Sequence, residues 1–187
     1  MSRAYRIAVS ETLRRHVKVE DGVQTQLELL HVLAAERMRE ILAAELAELG
    51  FERDGQVCRR VDEDGVEVTV DLDAGTVTVK LAAEEELDMT ARESAASTRA
   101  ANPELEEQLR QRAQERLERR ADARTERMRE EVTATLEKKL RDLRAELDGA
   151  VNRATGAALK EKAAELGEIE EITEDDETGS LTIRVRV

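Results

Sequence analysis

The sequence feature that most constrains the fold is an uninterrupted stretch of strong helix formers from Asn102 to Gly167. Asn102 suits a helix N-cap and Pro103 suits the first helical position. After Pro103 the chain has no further proline, and it has no glycine until Gly149. Glu, Arg, Ala, Leu, Lys and Gln dominate the segment, and all of them favour helix. The stretch therefore predicts a helix of about 64 residues and about 96 Å, several times the width of a small domain.

Apolar side chains recur on one face of this predicted helix about every 3.7 residues, which is closer to an 11-residue repeat than to a heptad. An isolated helix gains most of its stability by packing such a face against something else. Three kinds of partner could pack against this apolar face: a second copy of the chain, a different protein, or another part of this chain folded back onto the helix. We predict a coiled-coil-like helix interface formed by Met128, Val132, Leu136, Leu140, Leu143, Leu147 and Val151.

The first 81 residues predict a small domain with mostly antiparallel strands and one helix. Alternating apolar residues before position 30, with Asp21-Gly22 as a turn, suggest a meander of two or three strands. A helix is predicted from Ala34 to Leu49, with Gly50 ending it. Further strands, separated by glycine-containing turns, are predicted at Val57 to Val61, Val66 to Leu72 and Thr76 to Leu81.

The complete chain is thus predicted to be an α+β protein with four consecutive segments. These are an N-terminal domain at 1–81, a hinge or loose helix at 82–102, the long helix at 103–167, and a C-terminal β-hairpin at 168–187. Leu181, Ile183 and Val185 alternate with polar residues in the hairpin. Because a two-stranded hairpin is marginally stable alone, we hypothesise that these three residues belong to a strand added to a sheet of another subunit or partner.

The charge balance disfavours nucleic acid as a general partner. The formal net charge is −13, whereas affinity for a duplex depends on neutralising phosphates. The long helix nevertheless contains an arginine-rich stretch, best explained as an ion-paired helix face in solvent. A docking face for an acidic protein surface comes second, with Arg116, Arg120 and Arg124 as candidate contacts, and a nucleic-acid site comes third.

No pattern of reaction chemistry stands out in the sequence. His16 and His31 lack partners at metal-ligand spacing, and the chain has neither a P-loop nor a G-x-G-x-x-G motif. We expect no enzyme activity and no catalytic, cofactor or metal site. Cys58 is the only cysteine, and the sequence has no apolar run of membrane-spanning length, so we expect neither an intrachain disulfide, a signal peptide nor a membrane span. Together these features favour a cytoplasmic protein that does not enter the membrane.

Several N-terminal segments resemble a known bacterial family. They are Arg3-Ala4-Tyr5-Arg6-Ile7 through Glu20-Asp21-Gly22-Val23, then Gln26-Leu27-Glu28-Leu29-Leu30, and Glu36-Arg37-Met38 through Glu48-Leu49-Gly50-Phe51. The resemblance, over about residues 3–81, is to accessory proteins encoded beside FtsH-like AAA+ ATPases in ternary-system cassettes proposed to act in biological conflict. It provides no catalytic motif, and it implies a cytoplasmic, non-enzymatic component that works with an ATPase.

Two functional hypotheses follow from the sequence. The first is a structural or adaptor subunit that forms a homo-oligomer or docks a heteromeric protein complex, including an AAA+ ATPase assembly, through its long helix and terminal hairpin. The alternative is a nucleic-acid-associated regulator that uses the arginine-rich helix face.

Overall fold

The computed structural model describes residues 5–175 and 180–186, and it confirms the predicted α+β class. Residues 176–179 of the predicted C-terminal hairpin lie outside the described residues. The elements are β1 Tyr5–Gln26, α1 Ala35–Glu48, β2 Glu52–Asp54, β3 Val57–Val61, β4 Glu67–Asp71, β5 Thr76–Ser97, α2 Pro103–Leu166, β6 Glu168–Asp175 and β7 Ser180–Arg186. One sheet has the strand order β1-β5-β4-β3-β2, and β6 pairs with β7 in a second sheet.

The chain divides into two compact units that are not consecutive in sequence. The first, called here the ribbon unit, comprises the described residues up to Asp21 together with Ala82–Thr135. The second, called the sheet unit, comprises residues 22–81 and the described residues from Leu136 onward. The division falls inside β1, β5 and α2, so it differs from the four consecutive segments predicted from the sequence.

The sheet unit contains the three strands predicted between Val57 and Leu81, and they pair antiparallel. Val57 to Val61 pairs with β4, and β4 pairs with the beginning of β5. The carboxylate of Asp71 accepts hydrogen bonds from the backbone amides of Asp73 and Ala74, which closes the turn before Gly75. The buried apolar residues of this unit include Met38, Ile41, Leu42, Leu46, Phe51, Cys58, Val68, Val70, Val77, Val79, Leu143 and Leu147.

The ribbon unit consists of two long strand segments and the first half of α2. Side-chain contacts join Thr12 to Thr90, Arg14 to Asp88, His16 to Glu86 and Lys18 to Glu84. In these pairs the residue number in β5 falls by two whenever the residue number in β1 rises by two. The two strands therefore run antiparallel. The opposite face of the two strands packs on α2 through two small apolar clusters. One cluster consists of Val17, Val19, Leu87, Ala121 and Met128, and the other consists of Ala91, Ala113 and Leu117.

The predicted N-terminal meander is wrong, because β1 is one strand from Tyr5 to Gln26. Asp21-Gly22, read as a turn from its composition, lies within this strand. A β-carbon on Gly22 would lie 3.0 Å from the carbonyl oxygen of Val79 and 3.1 Å from Cγ of Lys80. Glycine therefore serves here for close approach of two neighbouring strands rather than for a reversal of the chain.

The predicted hinge or loose helix at 82–102 is also wrong over most of its length, since β5 continues to Ser97. Buried and half-buried residues alternate with exposed ones along this strand, and Leu87, Ala91 and Ser97 are buried. Its alanines and glutamates favour helix in isolation, but packing of alternate side chains against α2 determines the local structure. Of the predicted segment, only 98–102 lies outside a helix or strand.

Candidate interaction surfaces

The predicted helix interface is largely covered by the chain itself. Met128, Val132, Leu136, Leu143 and Leu147 are all buried in the single chain. In the ribbon unit the stripe packs against strands, as the contacts of Met128 with β1 and β5 residues illustrate. The covering is thus this chain folded back, the third of the alternatives left open by the sequence.

Leu140 and Val151 differ from the other five predicted interface residues, because both are only half-buried. They line a groove of about 740 Å³ in the sheet unit, between α2 and the end of β1. Val23 and Leu27 contribute apolar side chains from the β1 side, while the buried Val77 and Val79 also line it. The groove follows a strand at the edge of its sheet, since β1 is paired only with β5 in the described sheet.

Charged side chains of both signs border this groove. Arg141 and Arg144 project from α2, and Glu28 and Asp148 supply two carboxylates. The Nε atom of Arg144 lies 4.0 Å from the Asp148 carboxylate, and both side chains are well exposed. The border therefore has no net charge, although the chain as a whole is strongly acidic.

An apolar segment without helix or strand structure follows the groove-lining residues. The segment runs from Leu29 to Leu33. The backbone amide of Leu29 donates a hydrogen bond to the carbonyl oxygen of Leu27. Leu30 is 65% exposed, more than any other large apolar side chain in the part of the chain that the structure describes. An apolar side chain so exposed beside an apolar groove is typical of a protein interaction surface.

The C-terminal hairpin lies against the end of α2. A β-carbon on Gly156 would lie 3.9 Å from Cδ2 of Leu181, and Lys160 pairs with Glu174. At Gly167 a β-carbon would lie 2.2 Å from the carbonyl oxygen of Arg186, so only glycine fits where the chain leaves the helix. Leu181, Ile183 and Val185 are half-buried, while their neighbours on β7 are exposed. The predicted strand-addition residues thus face the side of the hairpin that α2 partly covers.

Two of the three predicted docking arginines are engaged within the ribbon unit. Arg116 donates a hydrogen bond of 3.0 Å to Glu93, and Arg124 lies 2.7 Å from Glu85. Arg120 is exposed and has no ion-pair partner among the residues that the structure describes. The sequence favoured an ion-paired helix face, and in the structure Arg116 and Arg124 each pair with a carboxylate of β5, which joins the strand to the helix.

The side chains considered for reaction chemistry have ordinary surroundings. Cys58 is buried, and burial raises the pKa of its thiol despite the opposing charge of Arg53. His16 lies on the exposed ribbon face, 2.8 Å from Glu86. Within residues 5–175 and 180–186, no group of three or more His, Cys, Asp or Glu side chains is placed to hold a metal ion. The helices of the described chain also lack the combination of length and apolar character needed to cross a membrane.

The whole chain matches a described protein family. The sequence profile of the family described as FtsH ternary system domain X5 covers residues 1–187, so the long helix and the hairpin fall within the matched region as well as the N-terminal segments. Comparison with curated proteins and with solved structures produced no match. The chain belongs to the FtsH ternary system domain X5 family.

Proposed function

We propose that this protein is a non-enzymatic adaptor subunit that binds the AAA+ ATPase assembly of an FtsH ternary system. The observation that carries the proposal is the family match over the entire chain. An accessory component of a multiprotein system must offer a surface to its partners. The sheet unit offers two such surfaces, the groove beside the end of β1 and the C-terminal hairpin. The hairpin is the surface we assign to the ATPase assembly.

The hairpin suits strand addition because its two strands pair only with each other in the described chain. Each outer edge therefore presents backbone amides and carbonyls to which a partner strand can hydrogen-bond. Ile172 adds an apolar contact, since its side chain is 42% exposed on β6. A short edge of this kind provides affinity through the main chain, while side chains such as Ile172 provide selectivity.

We assign the long helix a supporting role instead of the coiled-coil-like interface predicted from the sequence. Most of its apolar stripe is buried within the chain, so it is unavailable to a partner without unfolding. The helix instead supports the hairpin, which is seated near Gly156 and Lys160. The adaptor then binds through its hairpin rather than through a coiled coil.

The proposal is tested by mixing the purified protein with the AAA+ ATPase of the same system and following complex formation by sedimentation velocity. We expect a complex, and we expect Ile172→Asp to weaken it by about tenfold or more, because a charge replaces an apolar contact at the interface. Val61→Asp is the matched control, since Val61 is a 62%-exposed β-branched residue on a different strand. Absence of a complex, or equal weakening by both substitutions, would overturn the proposal.

A further inference from the structure

We propose that the groove lined by Val23, Leu27, Leu140 and Val151 is the docking site for a second copy of this chain. In the resulting dimer, Leu30 of each copy inserts into the groove of the other. The interface is independent of the hairpin and of the ATPase, and it uses only residues of the sheet unit.

The exposed side chain and the groove lie next to each other on one molecule. Leu30 follows Leu27 by three residues, so their Cα atoms are at most about 11 Å apart. The start of the segment is also fixed in place, because the amide of Leu27 donates a 2.8 Å hydrogen bond to the carbonyl oxygen of Gly75. A two-fold interface requires this arrangement, since the same patch must supply both the inserting side chain and the surface that receives it.

The size of the groove matches more than one side chain. A volume of about 740 Å³ exceeds what a single leucine fills, and Leu29, Val32 and Leu33 flank Leu30 with half-buried apolar side chains. The neighbouring segment can therefore follow Leu30 into the partner's groove. Burial on both sides of the two-fold axis doubles the apolar area removed from water.

The charges around the groove favour a second copy over a strongly charged partner. Two copies of a chain with net charge −13 repel each other over most of their surfaces. At the groove, however, Arg141 and Arg144 balance Glu28 and Asp148. In a two-fold arrangement the arginines of one copy can face the carboxylates of the other, whereas a strongly acidic or basic segment would meet two like charges.

The first test compares two leucines of similar exposure in the sheet unit. Leu30→Asp should raise the dimer dissociation constant by about 100-fold or more in sedimentation equilibrium, because both symmetric contacts are lost. Leu166→Asp is the control, since Leu166 is 61% exposed at the end of α2 and does not line the groove. It should leave the dissociation constant within about twofold. Circular dichroism verifies that each variant retains its fold.

The second test identifies the contact itself. A tagged Leu30→Cys chain is mixed with an untagged Val151→Cys chain and treated with a short bismaleimide crosslinker. We expect a covalent heterodimer from this mixture and none from Leu166→Cys mixed with Val151→Cys. The unmodified chain is a further control, because its single Cys58 is buried.

A monomer at all accessible concentrations would overturn the dimer, and so would an unchanged dissociation constant for Leu30→Asp. Equal crosslinking in both mixtures would overturn the proposed contact. Since neither experiment contains the ATPase, these results are separate from the outcome of the hairpin test.

Discussion

The two units of this chain share three elements, β1, β5 and α2, but their side chains pack differently. In the sheet unit, large aliphatic side chains such as Leu46 and Val70 are completely buried. In the ribbon unit, two strands meet one helix through a narrow stripe that includes Ala113 and Ala121. Ion pairs between the strands and the helix accompany that stripe, for example Arg116–Glu93 and Arg15–Asp122.

This contrast has an energetic consequence. Burial of large apolar side chains contributes the most per residue to stability, whereas alanine buries little area and exposed ion pairs contribute little after screening and loss of side-chain entropy. We therefore expect the sheet unit to contain the most stable part of the molecule and the ribbon unit to open locally at lower free energy. Four substitutions test this difference in stability, and the first is expected to have the largest effect.

The largest effect is expected from Leu46→Ala in the sheet unit. Leu46 is fully buried on α1, and removing its side chain leaves a cavity that the surrounding core cannot completely fill. We expect the free energy of unfolding to fall by about 3 kcal/mol in urea denaturation monitored by circular dichroism. A loss below about 1 kcal/mol would contradict the view that this core dominates stability.

The second effect concerns a partly buried charged pair of the sheet unit, Arg60 and Glu146. Arg60 donates two hydrogen bonds of 2.7 Å to the Glu146 carboxylate and a third to the carbonyl oxygen of Leu49. Its guanidinium lies 4.6 Å from the centre of the Phe51 ring. Glu146→Gln removes the negative charge and leaves a partly buried cation, so we expect the free energy of unfolding to fall by about 2 kcal/mol. The loss is smaller than for a fully buried pair because both side chains are partly exposed to solvent. Glu137→Gln, at an exposed position of the same helix, should have little effect.

The pair also predicts a pH dependence. The hydrogen bonds from Arg60 lower the pKa of Glu146 below its usual 4.5; desolvation opposes this shift, and the charge of Arg60 adds to it. Stabilisation by this carboxylate is therefore fully present above about pH 4.5 and is lost as the pH falls through its lower pKa in the folded protein. The difference in unfolding free energy between the native chain and Glu146→Gln should shrink in acid. A difference that stays constant down to about pH 2 would contradict the assignment.

Local sequence signals were sufficient where they agreed with packing. The spacing of valines and the glycine-containing turns predicted β3, β4 and the start of β5, and the composition after Pro103 predicted α2 almost to its end. They failed at residues 82–97, where Ala and Glu favour helix but a neighbouring strand and a helix impose an extended backbone. They failed at Gly22 because a glycine for close approach and a glycine for a turn look the same in one sequence.

The interaction surfaces were less predictable than the fold. The stripe from Met128 to Val151 was recognised as a face that needs covering, but periodicity cannot distinguish a partner from strands of the same chain. Leu140 and Val151 have the same spacing as their buried neighbours, and only the path of β1 leaves them half-exposed in the groove. The apolar run at Leu29 to Leu33 was the one local signal that could have pointed to this surface.

The third effect concerns the close packing of the ribbon unit. Ala121 is fully buried in the cluster with Val17, Val19 and Leu87, so Ala121→Leu would force the strands away from α2. We expect a loss of about 1–2 kcal/mol in local stability, seen as faster hydrogen exchange at the β1 amides between Leu13 and Val19. The β3 and β4 amides should keep their protection. Ala123→Leu is the control, because Ala123 is exposed on the same helix.

The smallest effect is expected for the ion pairs beside that stripe. Arg124 donates a 2.9 Å hydrogen bond from Nε to Glu85 and a 3.2 Å hydrogen bond to Glu131, so Arg124→Gln removes two pairs at once. Because these side chains remain open to solvent, the loss of hydrogen-exchange protection in β5 near Glu85 should be smaller than for Ala121→Leu and should disappear in about 1 M salt. Arg127→Gln is the control at an exposed position one turn away. If Arg124→Gln instead exceeds Ala121→Leu at both salt concentrations, then charge rather than close packing holds the ribbon to the helix, and the contrast between the two units is greater than their apolar cores imply.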